Sequence, residues 1–309
     1  MLSSGSASGG GRSPAVLCTG IAVEDFLFKV EHFPAPGEKL YAQALVAAPG
    51  GCSANSALAI ARLGGRARFA GPVGTDAASG RILDALTREG VDVSGVLRID
   101  GGSVSVSGIF IDETGEKMVA TRRGDKLADA APPDPAALVT DVDLVLADNR
   151  LPDFVAPIGR AARSCGIAFV LDGDRATVPD DPLFAIASHI IFSAEALRAT
   201  TGLHDLGAAL RRMAAHIRGF LAVTNGANDV LWLDAGNVRR MPVFAVDAID
   251  TLGAGDTFHG GFALALAEGR DPIVAMRFGA AAAALKCTRF GGILGTPQRA
   301  EVEALLGSA

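Results

Sequence analysis

The residues Asp250–Thr251–Leu252–Gly253–Ala254–Gly255–Asp256–Thr257–Phe258 concentrate the chemistry this chain could perform. Gly253, Ala254 and Gly255 leave the backbone almost bare. Phe258, Phe262 and Leu266 then recur every four residues, one face of a helix, so the glycines stand at its start. Unpaired N–H groups and the positive end of the dipole gather there, and a phosphate is the natural guest. Asp256, in the first turn, could accept the proton of an attacking hydroxyl while those N–H groups hold a phosphoryl group in transfer. The plain alternative is that Asp256 caps the helix and the glycines make a tight turn.

A second glycine-led helix start is Pro49–Gly50–Gly51–Cys52–Ser53–Ala54–Asn55–Ser56, which runs into an apolar helix ending near Gly64. Asn55 is polar at the head of an apolar helix, and its amide can both donate to and accept from sugar hydroxyls. The alternative is a bond to a neighbouring loop. A third stretch, Gly20 to Asp25, places two carboxylates where an apolar strand ends, at the edge where open α/β sheets bind ligands. Asp25 could hold two vicinal hydroxyls there. Exposed acids after a strand are common, so this stretch alone says little.

These residues need a frame. Apolar runs at 15–23, 144–147, 167–171, 189–192 and 220–224 read as buried strands. Helical segments such as 154–164, 205–217 and 256–267 lie between them. That alternation predicts right-handed crossovers and a mostly parallel sheet covered on both faces. Two stretches break it: 28–46, polar and interrupted by proline, and 103–123, two β-prone runs around Asp112–Glu113–Thr114–Gly115. Together they suggest a small sheet beside the main body, placed to act as a lid. The expected organisation is one α/β domain over 15–305 after a Ser/Gly-rich disordered tail over 1–14 that lacks the features of a signal peptide.

Composition narrows the partners. With 309 residues, 49% of them hydrophobic, the chain can bury a large core. A net charge of −6 advertises neither nucleic acid nor anionic lipid. No apolar run is long enough to span a bilayer. Cys18, Cys52, Cys165 and Cys287 lie far apart, which fits reduced thiols in a cytoplasmic protein better than a disulfide framework or a zinc site.

Taken jointly, the three segments resemble the ribokinase-like (PfkB) carbohydrate kinases over roughly residues 16–297. Gly20 and Asp25 match the family's opening element. Gly50, Gly51 and Asn55 match its first signature, and Asp250 to Asp256 its second without a gap. The stretches Gly71 to Asp76, Glu89 to Asp92 and Val223 to Gly226 also fit. The resemblance implies a Rossmann-like three-layer αβα ribokinase-type fold with a β-sheet lid, ATP with Mg²⁺, a sugar substrate, and a homodimer formed through the lid. It makes Asp256 the catalytic base and Gly253, Ala254 and Gly255 the anion hole. It sets Asp25, Gly50, Gly51 and Asn55 at the acceptor, and Thr224, Gly226, Cys287 and Gly291 near the nucleotide. Asp250 and Thr251 match positions that help hold K⁺ in several members.

The departures refine this. True ribokinases carry Lys where this chain has Cys52, which argues against ribose. The Asn-x-x-Glu that organises Mg²⁺ in many members is Ser193–Ala194–Glu195–Ala196 here, so Glu195 is the remaining candidate. In this the chain resembles the ketohexokinase and 6-deoxy-6-sulfofructose kinase branch, the second also through Leu146 to Arg150, Leu171 to Asp174 and Ala284 to Arg289. That branch implies a ketose-type acceptor. Lys39 and Arg150, with Arg122 or Arg123, could grip an anionic end of it. Solvated lid charges or contacts to phosphate are the alternative for these four. A sulfosugar kinase, a nucleoside kinase and a catalytically silent sugar- or nucleotide-binding protein stay open beside the ketose reading. An NAD-type oxidoreductase lacks its GxGxxG after the first strand.

Overall fold

The computed structural model of the chain describes residues 12–308. Its first half runs β1 (Ala15–Thr19), β2 (Val23–Lys29), β3 (Ala44–Gly50), α1 (Cys52–Arg62), β4 (Arg66–Ala70), β5 (Pro72–Gly74), α2 (Ala77–Arg88), β6 (Leu97–Ile99), β7 (Ser105–Ile111) and β8 (Lys117–Arg122). Next come α3 (Pro135–Leu138), β9 (Leu144–Asp148), α4 (Pro152–Ser164), β10 (Ala168–Gly173), α5 (Pro182–Ile186), β11 (His189–Ser193), α6 (Ala194–Thr201) and α7 (Leu206–Met213). The chain closes with β12 (Phe220–Asn225), β13 (Asn228–Asp234), β14 (Asn237–Met241), α8 (Ala254–Ala267), α9 (Pro272–Cys287), the 3-10 turn Gly292–Gly295 and α10 (Arg299–Gly307).

The main sheet has the order β14-β13-β12-β11-β10-β9-β1-β4. It is parallel from β4 through β12, and β13 and β14 add an antiparallel edge. Strand alternation sorts the side chains. Val16, Cys18, Leu144, Leu146, Val170 and Ile191 point to one face and pack with residues of α1, α8 and α9. Leu17, Val145, Ala147, Phe169, Leu171 and Ile190 point to the other, against residues of α4, α5 and α7. A sheet buried on both faces needs apolar residues at every position, which is why these strands read as unbroken runs. This is the mixed α/β three-layer fold that the alternation predicts.

A separate four-stranded sheet, order β3-β2-β7-β8, stands beside this body. Its β2 and β3 pair antiparallel, β2 and β7 parallel, and β7 and β8 form a hairpin. It includes the two stretches that break the alternation and reaches beyond them, from Val23 and to Gly50. The first apolar run is therefore not one strand. It stops at Thr19, because Gly20 takes φ +150° and a Cβ there would lie 2.0 Å from Asp148 Oδ2. Asp25 consequently sits mid-strand in the small sheet and not at the carboxyl edge of the main one, as the apolar pattern alone suggested. Of the segment read as a tail, residues 1–11 lie outside the described residues. Arg12 pairs with Asp143 at 3.5 Å, and the Pro14 carbonyl accepts from the Arg66 N–H at 3.0 Å.

Candidate active site

Three helices set the geometry. α8 begins at Gly253, whose left-handed φ of 77° suits glycine, and no side chain caps it. Thr257 N–H returns to the Gly253 carbonyl at 2.9 Å. The N–H groups of Gly255 and Asp256 find no acceptor among the described residues. A Cβ on Gly255 would meet nothing within 4 Å, so open space lies over those donors. Bare N–H groups at a helix N-terminus are the kind of donor that an anion could take.

α1 approaches α8 closely, because Gly260 removes the side chain that would collide: a Cβ there would sit 2.9 Å from the Ser56 carbonyl. Gly261 and Gly279 do the same between α8 and α9, where a Cβ on Gly279 would meet the Phe258 carbonyl at 2.5 Å. This close packing lets Asn55 Nδ2 donate to Asp256 Oδ2 at 2.6 Å and Ser56 Oγ donate to the Asp256 carbonyl at 3.1 Å. Burial pushes the Asp256 carboxyl up to about 7; the negative charges of Asp174, Asp25 and Asp148 add to this, and the Asn55 bond opposes it.

Asp25, buried on β2, is pushed up to about 6 by burial, with the Ser107 hydroxyl opposing. It needs the bare Gly50, since a Cβ there would lie 2.1 Å from Asp25 Oδ2. Gly51 is the N-cap of α1 at φ 90°. The Asn55–Asp256 bond, the approach of Gly50 to Asp25 and the influence of Asp25 on Asp256 thus bring the first turns of α1 and α8 together with β2, where the small sheet meets the body.

Other carboxylates that the motifs did not single out stand here too. Asp148 closes β9 and is held by Ser53 Oγ at 2.6 Å and the Ile21 N–H at 2.9 Å. Asp172 lies near the end of β10, buried, its Oδ1 without a hydrogen-bond partner and 3.5 Å from His259 Nε2. His259 Nδ1 lies 2.8 Å from the Gly255 carbonyl, linking that carboxylate to the anion turn. Burial and the neighbouring charges of Asp174, Asp256 and Asp148 drive Asp172 well above the usual carboxylate range. Both aspartates sit at carboxyl ends of parallel strands, in runs that are otherwise apolar. That is the signal by which they could have been found.

The expected cations fare differently. Arg150 follows β9; its N–H donates to Asp148 Oδ1 at 3.0 Å and its guanidinium pairs with Asp174. Cys52 Sγ lies 3.7 Å from the same Asp174. Lys39 is exposed, its Nζ 5.1 Å from the centre of the Tyr41 ring, and Arg122 pairs with Asp125 at 2.5 Å. The structure therefore places Arg150 beside Asp148 and Asp174 and leaves Lys39 at the surface.

On the side expected for nucleotide, Thr224, one residue before the end of β12, is in register with Ser193, and Gly226 turns into β13 at φ 58°. Glu195 is exposed in the first turn of α6, just after β11. Cys287 ends α9, and its carbonyl accepts from Ile249 and Asp250 N–H at 2.8 and 3.1 Å. Gly291 N–H donates to Asp250 Oδ2 at 3.0 Å, and Thr251 is exposed, its carbonyl accepting from Ala254 N–H at 3.2 Å.

Comparison with known proteins bears on the family and the fold. The family model for the pfkB family carbohydrate kinases matches residues 13–299. The ribokinase of Haemophilus influenzae is 30% identical over 293 residues, covering 92% of this chain and 96% of that protein. The crystal structure of a candidate ribokinase from Agrobacterium tumefaciens superposes with a TM-score of 0.92 at 36% identity, over 96% of this chain and 98% of that one. Arabidopsis thaliana ribokinase, solved with ribose and ATP, gives 0.81 at 25% identity over 95% and 98%.

Proposed function

The chain belongs to the PfkB family of carbohydrate kinases, and from that premise we propose an in-line transfer of the ATP γ-phosphoryl group to a sugar hydroxyl with Asp256 as base. One observation carries the reading. A carboxyl pushed up to about 7 is fixed by Asn55 beside two unpaired N–H groups at an uncapped helix start. The carboxylate takes the hydroxyl proton as the N–H groups of Gly255 and Asp256 receive the charge of the transferred group. No phosphoenzyme is needed. Thr224, Gly226, Cys287 and Gly291 are assigned to the nucleotide side.

Mg²⁺ neutralises the phosphate oxygens in such transfers. Cys52, Asp172 and Asp256 offer ligand atoms within 4.8 Å of one another, but a thiol does not suit so hard a cation. The exposed carboxylate of Glu195 would hold it better, as a hard oxygen ligand.

For the acceptor we propose a neutral, ketose-type sugar. Asp25 and Asp256 supply hydroxyl acceptors, and the nearby cation Arg150 is already neutralised by Asp174. Cys52 in the first turn of α1 offers no positive charge either. A pentose such as ribose is the second reading, favoured by the names of the relatives. ADP release from Mg·ATP across ketoses, pentoses, nucleosides and sulfonated sugars, with Asp256→Asn as control, tests the assignment. Turnover that survives in the variant removes Asp256 from the role of base.

The small sheet is assigned as the lid and also as a homodimer contact. Leu45 is 57% exposed, Met118 46% and Val119 47%, on its two unpaired edge strands. Light scattering on Leu45→Glu/Met118→Glu tests this; a wild-type chain that is monomeric at micromolar concentration ends it.

A further inference from the structure

Behind the anion-binding turn lies a buried charge that phosphoryl transfer does not use. Lys286, in the last turn of α9, is fully buried. Its Nζ donates to the Asp250 carbonyl at 2.6 Å and stands 3.2 Å from Asp250 Oδ1. Asp250 is also fully buried. Its Oδ1 accepts from the Leu252 N–H at 2.8 Å, and its Oδ2 from the N–H groups of Gly291 and Gly292 at 3.0 and 2.7 Å. One ammonium and one carboxylate thereby join the segment that leads into Gly253 to the turn that follows α9.

The family resemblance implies K⁺ on Asp250 and Thr251, and these residues do not fit it. The carboxylate and carbonyl of Asp250, the oxygens such an ion would take, already hold an ammonium of the same charge. A second cation would face that fixed charge at contact distance in a dry site, where repulsion is least screened. Thr251, the other expected ligand, is exposed and gives its carbonyl to Ala254 N–H. We propose that the Lys286 ammonium is a tethered substitute for the monovalent ion, shaping the 250–253 turn and making the enzyme independent of dissolved K⁺. A lysine supplies a compact charge with three donors, always in place. A dissolved ion that binds only the folded chain would instead make the melting temperature depend on its concentration.

The test is a salt series on the wild-type chain in chlorides of K⁺, Na⁺, Cs⁺ and tetramethylammonium at matched ionic strength. Melting temperature and ADP release are both read. The rate arm rests on the kinase assignment; the melting arm does not, so failure of one is distinguishable from failure of the other. Melting should vary by less than about 1 °C between K⁺ and tetramethylammonium, because no ion is linked to folding. Rates should vary less than about twofold, since the charge near the turn is fixed. A K⁺-specific rise in melting temperature, or strong activation by K⁺, overturns the proposal. In Lys286→Met, a lowered melting temperature that K⁺ but not tetramethylammonium partly restores confirms the substitution. Equal destabilisation in every salt, or wild-type behaviour in every salt, reduces Lys286 to an ordinary ion pair and overturns it. Should the variant not fold, the wild-type series alone decides.

Discussion

Asn55 donates to Asp256 across 2.6 Å, joining the first turns of two helices at positions 201 residues apart in the chain. The bond aims one carboxylate oxygen and leaves the other for a hydroxyl. It also holds the carboxyl lower than burial alone would leave it.

The rate should follow that titration. With Asp256 near 7, kcat/KM rises as pH increases toward about 7 and levels above it, because only the ionised carboxylate accepts a proton. Asp256→Asn should lose roughly 10²–10⁴-fold in kcat with little change in ATP affinity. Asn55→Leu removes the bond that favours ionisation, so the rising limb moves to higher pH. A pH profile that is flat from 5 to 9, measured by stopped-time ADP assays, rules the assignment out.

Asp25 makes a prediction about stability. Its folded pKa of about 6 exceeds the ordinary carboxylate value, so the folded chain keeps a proton that the unfolded chain has lost. Below the ordinary value both states are protonated and nothing is lost. As pH rises from about 4 to about 6, stability falls by at most about 3 kcal/mol, and the loss is complete above that. Asp25→Asn should remove this component. Urea unfolding of both chains near pH 4 and pH 7 measures it, and equal pH dependence in the two would refute the placement of Asp25.

Two glycines should answer oppositely to alanine. Gly279→Ala drives a Cβ against the Phe258 carbonyl, a backbone atom that cannot turn aside, at about 1–3 kcal/mol in stability. Gly255→Ala meets nothing, so melting should be unchanged. It fills the space over the unpaired N–H groups instead, and KM for ATP should rise roughly tenfold or more. Differential scanning fluorimetry and steady-state kinetics separate the two effects.

The cations distinguish a neutral from an anionic acceptor. Lys39→Ala should leave sugar kinetics within about twofold, as a surface charge contributes little. Arg150→Gln releases Asp174 and should raise KM for every sugar alike. A loss confined to sulfonated or carboxylated sugars would instead show that Arg150 reads an anion.

Much of the fold was legible because a sheet covered on both faces demands apolar runs, and the runs at 144–147, 167–171, 189–192 and 220–224 each became a strand. The start of α8 was legible because bare glycines precede a helical period there. The first run misled: apolar character continues through Gly20, while the chain leaves one sheet for another there. No local pattern marks a φ forced by a carboxylate 128 residues downstream. Asp148 and Asp172 close apolar runs that lead into polar loops, and only tertiary packing brings Asp172 to His259. Lys286 was hidden the same way. In sequence it is a charge beside an Ala-rich segment, and its partner Asp250 is 36 residues earlier.

β3 ends at Gly50 and α1 begins at Cys52, leaving Gly51 as the single residue between a strand of the small sheet and the helix that carries Asn55. That joint has no slack. A change in the angle between β3 and α1 would have to be taken up at Gly51, whose φ of 90° suits glycine. The small sheet and the Asn55–Asp256 bond therefore share one joint, so a shift of β3 is felt where that bond is made.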